Sequence, residues 1–337
     1  MRDRPENLTD HQLLDALRTF GIEATDPRYA PVGFGDHHWT VTDAAGSRWF
    51  LTVADLEHKE HCGVGAGPAE RGLRSAMRTA AALRAERGLD FVVAPLVAPD
   101  GETVRPLDAR YALSVFPWTD GDSGEFGEAF TEAERHTVLD RLAELHREPP
   151  PAATPALGAG LPAREGLEAA LRETATPWTG GPFAEGTRGL LAEHGGELRR
   201  RLDELDAWVA GAEGAARVVT HGEPHSANVL RPRDAPERLL LVDWDTVGLA
   251  VPERDLWHVV RGPEDLDRYA RTSGRTPDPV ALAAYRQRWD LDDLSVYLGW
   301  FRAPHRATGD TEAAWEGLVE IVRRLASGPA VPYPSGT

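Results

Sequence analysis

The alternation of apolar and polar residues predicts a sheet in the first third of the chain. HHWTVT (37–42) and RWFLTV (48–53) flank the turn DAAGS and are typical of a β-hairpin. FVVAPLV (91–97) and YALSVF (111–116) are predicted as two further strands. Before the hairpin, PVGFGD (31–36) places a glycine-rich loop at a strand edge.

Helical periodicity predicts the remaining elements of this part. Thr9 and Gln12 have the spacing of a capping box at the start of an amphipathic helix. The alanine- and arginine-rich segment 69–88 is predicted as a second helix that ends at Gly88. Residues 1–117 therefore predict a small sheet with one main internal helix.

The second part of the chain is predicted to be mainly helical. Thr131 and Glu134 form another capping box, and helical patterns recur over 164–210 and again up to about residue 326. Two short strands, one of them RLLLVDWD (238–245), interrupt them, and VGLAVPERD (247–255) is predicted as a loop. We expect an α+β fold with an N-lobe at 1–117, a helical C-lobe at 118–327 and a disordered tail at 328–337.

Composition narrows the classes of partner. Of the 337 residues 41% are hydrophobic and 27% charged, as in a globular protein. The net charge of -17 disfavours nucleic acid and anionic membranes; it suits a cationic small molecule, and equally ordinary solubility. We expect a cytoplasmic protein, because the chain has a single cysteine, Cys62, no signal-like start and no apolar run of ~18 residues. Its oligomeric state is left open.

Ligand-type side chains interrupt an apolar run in VVTHGEPHSANVL (218–230). His221, Glu223 and His225 alternate, so on a strand they would share one face, as in a metal hydrolase. Gly222 and Pro224 make a regular strand unfavourable there, which weakens this interpretation.

A second interpretation uses the strand that follows. Asp243 ends an apolar run, and a buried carboxylate is costly without a cation or donors. Asn228 and Asp243 are hard oxygen ligands of the kind that Mg²⁺ prefers. Glu223, five residues before Asn228, could orient a hydroxyl and take its proton, as phosphoryl transfer requires.

HGEPHSANVL, LVDWD and VPERDLW together resemble the aminoglycoside phosphotransferase and choline kinase-like family, with the spectinomycin phosphotransferase-like branch as the nearest match. The resemblance covers roughly residues 25–310 and implies a bilobal protein-kinase-like fold. It implies that Asn228 and Asp243 hold Mg²⁺, with Asp245 at a second metal or in the outer shell. His221 would brace the catalytic loop, and Asp255 would bind its backbone.

The same resemblance implies a nucleotide site in the first part of the chain. Main-chain groups of Val115 and Phe116 would contact adenine, or guanine if GTP is used. Gly33 and Gly35 would lie over the phosphates, where missing side chains permit close approach.

Three departures from the family pattern bear on activity. Glu223 stands where the family has aspartate, and Thr52 occupies the position of the phosphate-binding strand lysine. The usual glutamate of the following helix is also missing, near Ser75. Lys59 is the single lysine beside 36 arginines and could reach the phosphates from the connection after the strand. Chance survival of that lysine is the alternative.

Several arginines and acidic residues are further candidates for the site. Arg71, Arg74 and Arg78 could also contact phosphate, although a solvated helix face is the favoured explanation. Acidic groups after the hinge and in a late helix could attract a cationic acceptor. Two aromatic residues of that helix could pack on the acceptor, or they could belong to the core. These residues are Asp120, Asp122, Glu125, Asp290, Asp292, Asp293, Trp300 and Phe301.

The sequence therefore predicts an ATP- or GTP- and Mg²⁺-dependent phosphotransferase. Its acceptor would be a hydroxyl of a small molecule, with an aminoglycoside-like or other amino-containing compound as one candidate. Thr52 and Glu223 favour the alternative of a weak or inactive kinase-like protein that binds nucleotide or a protein partner. Nucleotidyl transfer is a further alternative, and antibiotic resistance and a biosynthetic role both remain open.

Overall fold

A computed structural model describes residues 1–212 and 214–328. Its first part is a five-stranded antiparallel sheet with two helices. The elements are α1 (Asp10–Thr19), β1 (Ala24–Ala30), β2 (His37–Asp43), β3 (Arg48–Asp55), α2 (Ala66–Ala85), β4 (Arg105–Pro106) and β5 (Tyr111–Pro117). The strand order is β1-β2-β3-β5-β4, and the predicted β2–β3 hairpin is confirmed.

Later elements are mainly helical. They are β6 (Gly121–Ser123), α3 (Glu132–Leu145), α4 (Arg164–Arg172), α5 (Ala184–Gly211), β7 (Val218–Thr220), β8 (Val229–Pro232), β9 (Leu240–Leu241), β10 (Gly248–Ala250), α6 (Glu253–Val259), α7 (Pro263–Ser273), α8 (Pro279–Arg302) and α9 (Gly309–Ser327). β6, β8 and β9 form one small sheet, and β7 pairs with β10. The predicted α+β class is confirmed.

Local signals placed several of these elements correctly. The capping box of Thr9 and Gln12 starts α1, and that of Thr131 and Glu134 starts α3. Leucines of α1 pack with Trp39, Leu51 and other sheet residues in one apolar core. The glycine-rich loop connects β1 and β2 of this sheet.

The chain divides into two compact units. One compact unit contains Met1–Leu157 and Ala216–Pro277, and the other contains Gly158–Ala215 and the chain from Asp278 onward. In the second unit the buried Arg201 of α5 donates to the carbonyl oxygen of Leu325 of α9 (3.0 Å). The lobe boundary at residue 117 stays a prediction, and the predicted tail lies outside the described residues except for Gly328.

Two predicted strands are wrong in extent. FVVAPLV (91–97) forms only an isolated bridge at Val92, because its backbone changes partners: Val93 N–H donates to the carbonyl of Leu241 and Leu96 N–H to that of Val115. RLLLVDWD (238–245) is a strand only at Leu240–Leu241.

Three further boundaries need correction. α2 ends at Ala85, before the predicted Gly88. The predicted loop 247–255 contains β10 and the first turn of α6. In the part of the chain that the structure describes, no helix has the length and apolarity needed to cross a membrane.

Candidate active site

The segment His221–Asn228, which we call the catalytic loop, follows β7 and is held by a buried carboxylate. Asp255 of α6 accepts the backbone N–H groups of His221 (2.8 Å) and Gly222 (2.6 Å). Its Oδ2 also bonds Nε2 of His146 (2.9 Å). Burial works to raise the pKa of Asp255, but the hydrogen bond to His146 and the positive charges of His146, Arg254 and His221 together lower it. The bonds from the loop backbone to Asp255 are the contact that the resemblance implies.

Gly222 is needed at its position for two reasons. Its φ of +107° is one that side-chain-bearing residues rarely adopt. A Cβ there would also overlap the guanidinium of Arg254, with Cζ only 2.6 Å away. Arg254 is fixed by bonds to the hydroxyl of Thr220 (2.8 Å) and the carbonyl of Thr246 (2.9 Å).

His221 and Asn228 brace the loop around Glu223. The Nε2 of His221 bonds the carbonyl of Val242 (2.8 Å), and its Nδ1 accepts the N–H of Glu223 (3.2 Å). The side-chain nitrogen of Asn228 donates to the carbonyl of Glu223 (3.0 Å). These bonds fix the backbone from which the Glu223 carboxylate projects.

The Glu223 carboxyl has a perturbed acidity. Desolvation by the surrounding protein, helped by the charge of Asp245, raises its pKa to about 7. About 28% of the side chain is still exposed, so the group is open to a reactant while most of its surroundings are protein. A base with a pKa near neutrality is well matched to proton transfer at physiological pH.

Three carboxylates converge beside this loop. Oxygens of Asp36, Asp243 and Asp245 lie within 4.8 Å of one another. Asp243 holds a left-handed backbone conformation (φ +64°), which is uncommon for aspartate and turns it away from the preceding strand direction. Desolvation and the nearby Asp245 raise the pKa of Asp243 well above its ordinary range, although this side chain is the exposed member.

Lys59 lies between two of these carboxylates. It is 5% exposed, and its Nζ donates to Asp36 Oδ2 (2.9 Å) and to Asp245 Oδ2. His61 Nε2 bonds the same oxygen of Asp245 (3.1 Å). Burial alone would raise the pKa of Asp245, yet Lys59 and His61 hold it well below the ordinary value.

The donor set is chemically suited to a hard divalent cation. Carboxylate oxygens are the ligands that Mg²⁺ prefers, and they are already grouped. Asp36 Oδ1 is buried without a hydrogen-bond partner among the described residues. The residues present therefore fit a metal ion.

The glycine-rich loop has the conformation that its sequence requires. Gly33 (φ +71°) and Gly35 (φ +93°) both occupy the left-handed region. The loop ends at Asp36, which connects it to Lys59.

Thr52, Val115 and Phe116 lie on the two paired strands β3 and β5, where their roles as nucleotide contacts stay predictions. Thr52 Oγ1 bonds Nδ1 of His38 on β2 (3.3 Å). The carbonyl of Val115 already accepts the N–H of Leu96 (2.7 Å), so that oxygen is engaged. Phe116 is buried and pairs with Phe50 of β3.

The profile of the phosphotransferase enzyme family (APH) matches residues 28–300. The chain belongs to this family. The resemblance given by the three sequence motifs is thereby confirmed.

Solved structures agree on the fold of this family member. Spectinomycin phosphotransferase in complex with ADP and spectinomycin has a TM-score of 0.71 at 15% identity, covering 96% of this chain and 99% of that one. An amicoumacin kinase in complex with AMP-PNP and Ca²⁺ gives 0.55 at 12% identity, with 97% and 96% covered. An ethanolamine kinase of Plasmodium vivax gives 0.55 at 9%, with 88% and 82% covered.

These likenesses show the predicted protein-kinase-like fold, with its antiparallel sheet followed by a largely helical region. At such identities they show the fold alone. A comparison with curated proteins gives no match.

Several of the candidate arginines and acidic residues form ion pairs within the protein. Arg74 and Arg78 of α2 both pair with Glu102. Among the acidic groups, Asp290 pairs with Arg324 (2.6 Å), Asp292 with Arg288 (3.3 Å), and Asp120 and Asp122 with Arg233. Phe301 is fully buried and belongs to the core.

Two site residues were missed by sequence reasoning. Asp36 follows Gly35 directly, and His61 lies two residues after Lys59 in EHKEH. The sequence signal for Asp36 is an acidic residue at the end of the glycine-rich loop, and the signal for His61 is a lone lysine surrounded by titratable residues. Only the fold brings them to Asp245.

Proposed function

We propose that this protein is an ATP- or GTP-dependent, Mg²⁺-dependent phosphotransferase that phosphorylates a hydroxyl of a small molecule. The observation that carries the proposal is the convergence of Lys59, Asp36, Asp243 and Asp245 on one point in the compact unit that also contains the catalytic loop. Family membership supports the reaction type.

On this proposal the nucleotide phosphates lie under the glycine-rich loop. Gly33 and Gly35 leave room for close approach of backbone N–H groups. The ammonium of Lys59 supplies the cation that Thr52 cannot. Val115 and Phe116 stay the candidates for base contacts, through groups other than the engaged Val115 carbonyl.

Two of the three grouped carboxylates, Asp243 and Asp245, together with Asn228 of the catalytic loop, are the residues that would hold the metal, while Asp36 is assigned to Lys59. When bound, Mg²⁺ neutralises charge on the transferred and leaving phosphate oxygens. The raised pKa of Asp243 agrees with a carboxyl whose ionised form needs a cation partner.

Glu223 would orient the acceptor hydroxyl and accept its proton. The hydroxyl oxygen forms a bond to the γ-phosphorus while the bond from that phosphorus to the leaving nucleoside diphosphate oxygen breaks. The proton passes to the Glu223 carboxylate, whose pKa of about 7 leaves a large ionised fraction at neutral pH. His221 and Asn228 hold the loop in place through their hydrogen bonds.

We favour an amino-containing, hydroxylated acceptor, and we keep an antibiotic and a biosynthetic intermediate as equal sources. The net charge of -17 favours encounter with cations. One structural neighbour was solved with spectinomycin.

The test is transfer of labelled γ-phosphate from ATP to a panel of hydroxylated amines, by wild type and Asp243→Asn in parallel. The proposal predicts a Mg²⁺-dependent phosphorylated product with wild type and little or none with the variant. If the two proteins give equal product, the assigned site is wrong.

A second candidate is a protein that binds nucleotide without efficient transfer. The observation that favours it is the engagement of Lys59 by two carboxylates, together with Thr52 on β3. Nucleotide binding with no transfer to any compound of the panel would support this candidate.

A further inference from the structure

The buried ammonium of Lys59 requires a lasting carboxylate partner. A charge with 5% exposure is costly unless ion-paired and hydrogen-bonded. Lys59 has two such partners, Asp36 and Asp245. Asp245 is shared, because the same oxygen also bonds His61.

Asp36 differs from Asp245 in its place in the fold. It closes the glycine-rich loop and is 5% exposed. Its Oδ2 bonds Lys59. It therefore ties Lys59 to the loop that would cover phosphates.

Helix α2 offers no carboxylate that could pair with Lys59. Its only acidic residue is Glu70, which pairs with Arg74 one turn later. In protein kinases the phosphate-contacting lysine pairs with a helix glutamate, and both must be in place. Here the strand position is Thr52, so neither member of that pair exists in its usual element.

The turn that bears Lys59 is fixed by direct backbone packing. Gly72 of α2 lies so close to Cys62 that a Cβ would overlap its carbonyl oxygen, with the carbonyl carbon at 2.7 Å. Cys62 N–H in turn donates to the carbonyl of Lys59 (2.9 Å). The helix thus positions the turn, while the carboxylates position the ammonium.

We infer that Asp36 is the positioning residue for Lys59, so that the glycine-rich loop supplies the carboxylate that a helix glutamate supplies in other kinases. The inference deepens the proposed function and rests on it, since Lys59 is taken to contact the nucleotide phosphates. Asp36 keeps the ammonium beside the loop when Asp245 is engaged with other cations.

A double-mutant cycle tests this by calorimetric titration of Mg²⁺·AMP-PNP into wild type, Asp36→Asn, Lys59→Met and the double variant. Lys59→Met and Asp36→Asn should each weaken binding about tenfold or more. The double variant should bind no more weakly than Lys59→Met, because Asp36 acts through Lys59. Asp36→Glu should recover part of the affinity.

Asp26→Asn is the matched control, since it removes an exposed aspartate from β1 of the same sheet. Its affinity should equal that of wild type. Thermal unfolding of every variant identifies any that fail to fold. If Asp36→Asn does not fold, Asp36→Glu decides instead: affinity as low as that of Lys59→Met overturns the inference.

The experiment distinguishes failure of the proposed function from failure of the inference about Asp36. Wild type that binds no Mg²⁺·AMP-PNP overturns both the proposed function and the inference. If wild type binds and the effects of Asp36→Asn and Lys59→Met on the binding free energy are additive, only the inference is overturned. Tighter binding by Asp36→Asn also overturns it, because Asp36 would then compete with phosphate for Lys59.

Discussion

At the scale of the residue, the catalytic loop depends on close contacts that leave no room for change. Gly222 combines a left-handed φ with the guanidinium of Arg254 in the space that a Cβ would need. Asp255 receives two consecutive backbone N–H groups of the same loop. The position of Glu223, the next residue, follows from these contacts.

Gly222→Ala should lower the free energy of unfolding by about 2 kcal/mol or more, since the new methyl group meets both a strained φ and Arg254. Urea unfolding measures this. Gly299→Ala in α8 is the control: apart from chain neighbours and the backbone of its own helix, no atom of the described residues lies within 4 Å of its added Cβ, and stability should rise by about 0.5–1 kcal/mol. Equal effects of the two substitutions would contradict the crowding described at Gly222.

Glu223→Gln should reduce phosphoryl transfer about 10²–10⁴-fold, because the amide cannot accept the proton of the hydroxyl. The affinity for Mg²⁺·AMP-PNP should change little. Steady-state transfer and calorimetry on the same preparations separate the two effects. Glu132→Gln, an exposed change in the first turn of α3, should behave as wild type. An unchanged transfer rate in Glu223→Gln would exclude Glu223 as the base.

At the scale of the element, α2 positions the turn that bears Lys59. The contact is between backbones, Gly72 against Cys62, and therefore tolerates no side chain at residue 72. Asp245 provides a second contact, because its carbonyl accepts from the thiol of Cys62 (3.4 Å).

Gly72→Ala should displace this turn and weaken Mg²⁺·AMP-PNP binding about tenfold, although alanine is the better helix former. Calorimetry measures the affinity and circular dichroism the helix content. Gly67→Ala in the same helix is the control, since its Cβ would meet only the Arg71 guanidinium at 3.6 Å. If Gly72→Ala binds as tightly as Gly67→Ala, the turn does not set the affinity.

Elements with strong local signals were predictable from the sequence. The β2–β3 hairpin and both capping boxes follow from short-range patterns, and the structure contains them. FVVAPLV failed because its hydrogen bonds go to two different, distant segments, which no local pattern reveals.

Site residues divide in the same way. Asn228, Asp243 and Glu223 could be proposed from the sequence because they sit in recognisable motifs, and their roles stay predictions. The role of Lys59 was only one alternative, and Asp36 was not foreseen, because their pairing joins residues 23 positions apart and Asp245 lies 186 positions from Lys59.

At the scale of the whole molecule, burial of neutral histidines makes stability depend on pH. Desolvation lowers the pKa of His37 to about 4 and that of His38 to about 3. The pKa of His225 is lowered to about 4 for the same reason. The unfolded chain protonates such groups near pH 6.5, whereas the folded chain does not.

Because the unfolded state binds the extra proton, folding stability should fall as the pH drops from about 6.5 towards 4. For His37 the loss between pH 7.5 and 5.5 is about 1 kcal/mol. Urea unfolding at both values should show a smaller loss for His37→Gln than for wild type. His11→Gln, whose side chain is 82% exposed, should keep the wild-type loss. Identical pH dependence in all three proteins would contradict a buried neutral His37.

The most direct test of the account is a calorimetric titration of AMP-PNP into wild type and Asp243→Asn, each with and without Mg²⁺. The proposed phosphotransferase site predicts micromolar binding by wild type that requires Mg²⁺ and is lost in the variant. Absence of binding by correctly folded wild type in the presence of Mg²⁺ would contradict the central claim.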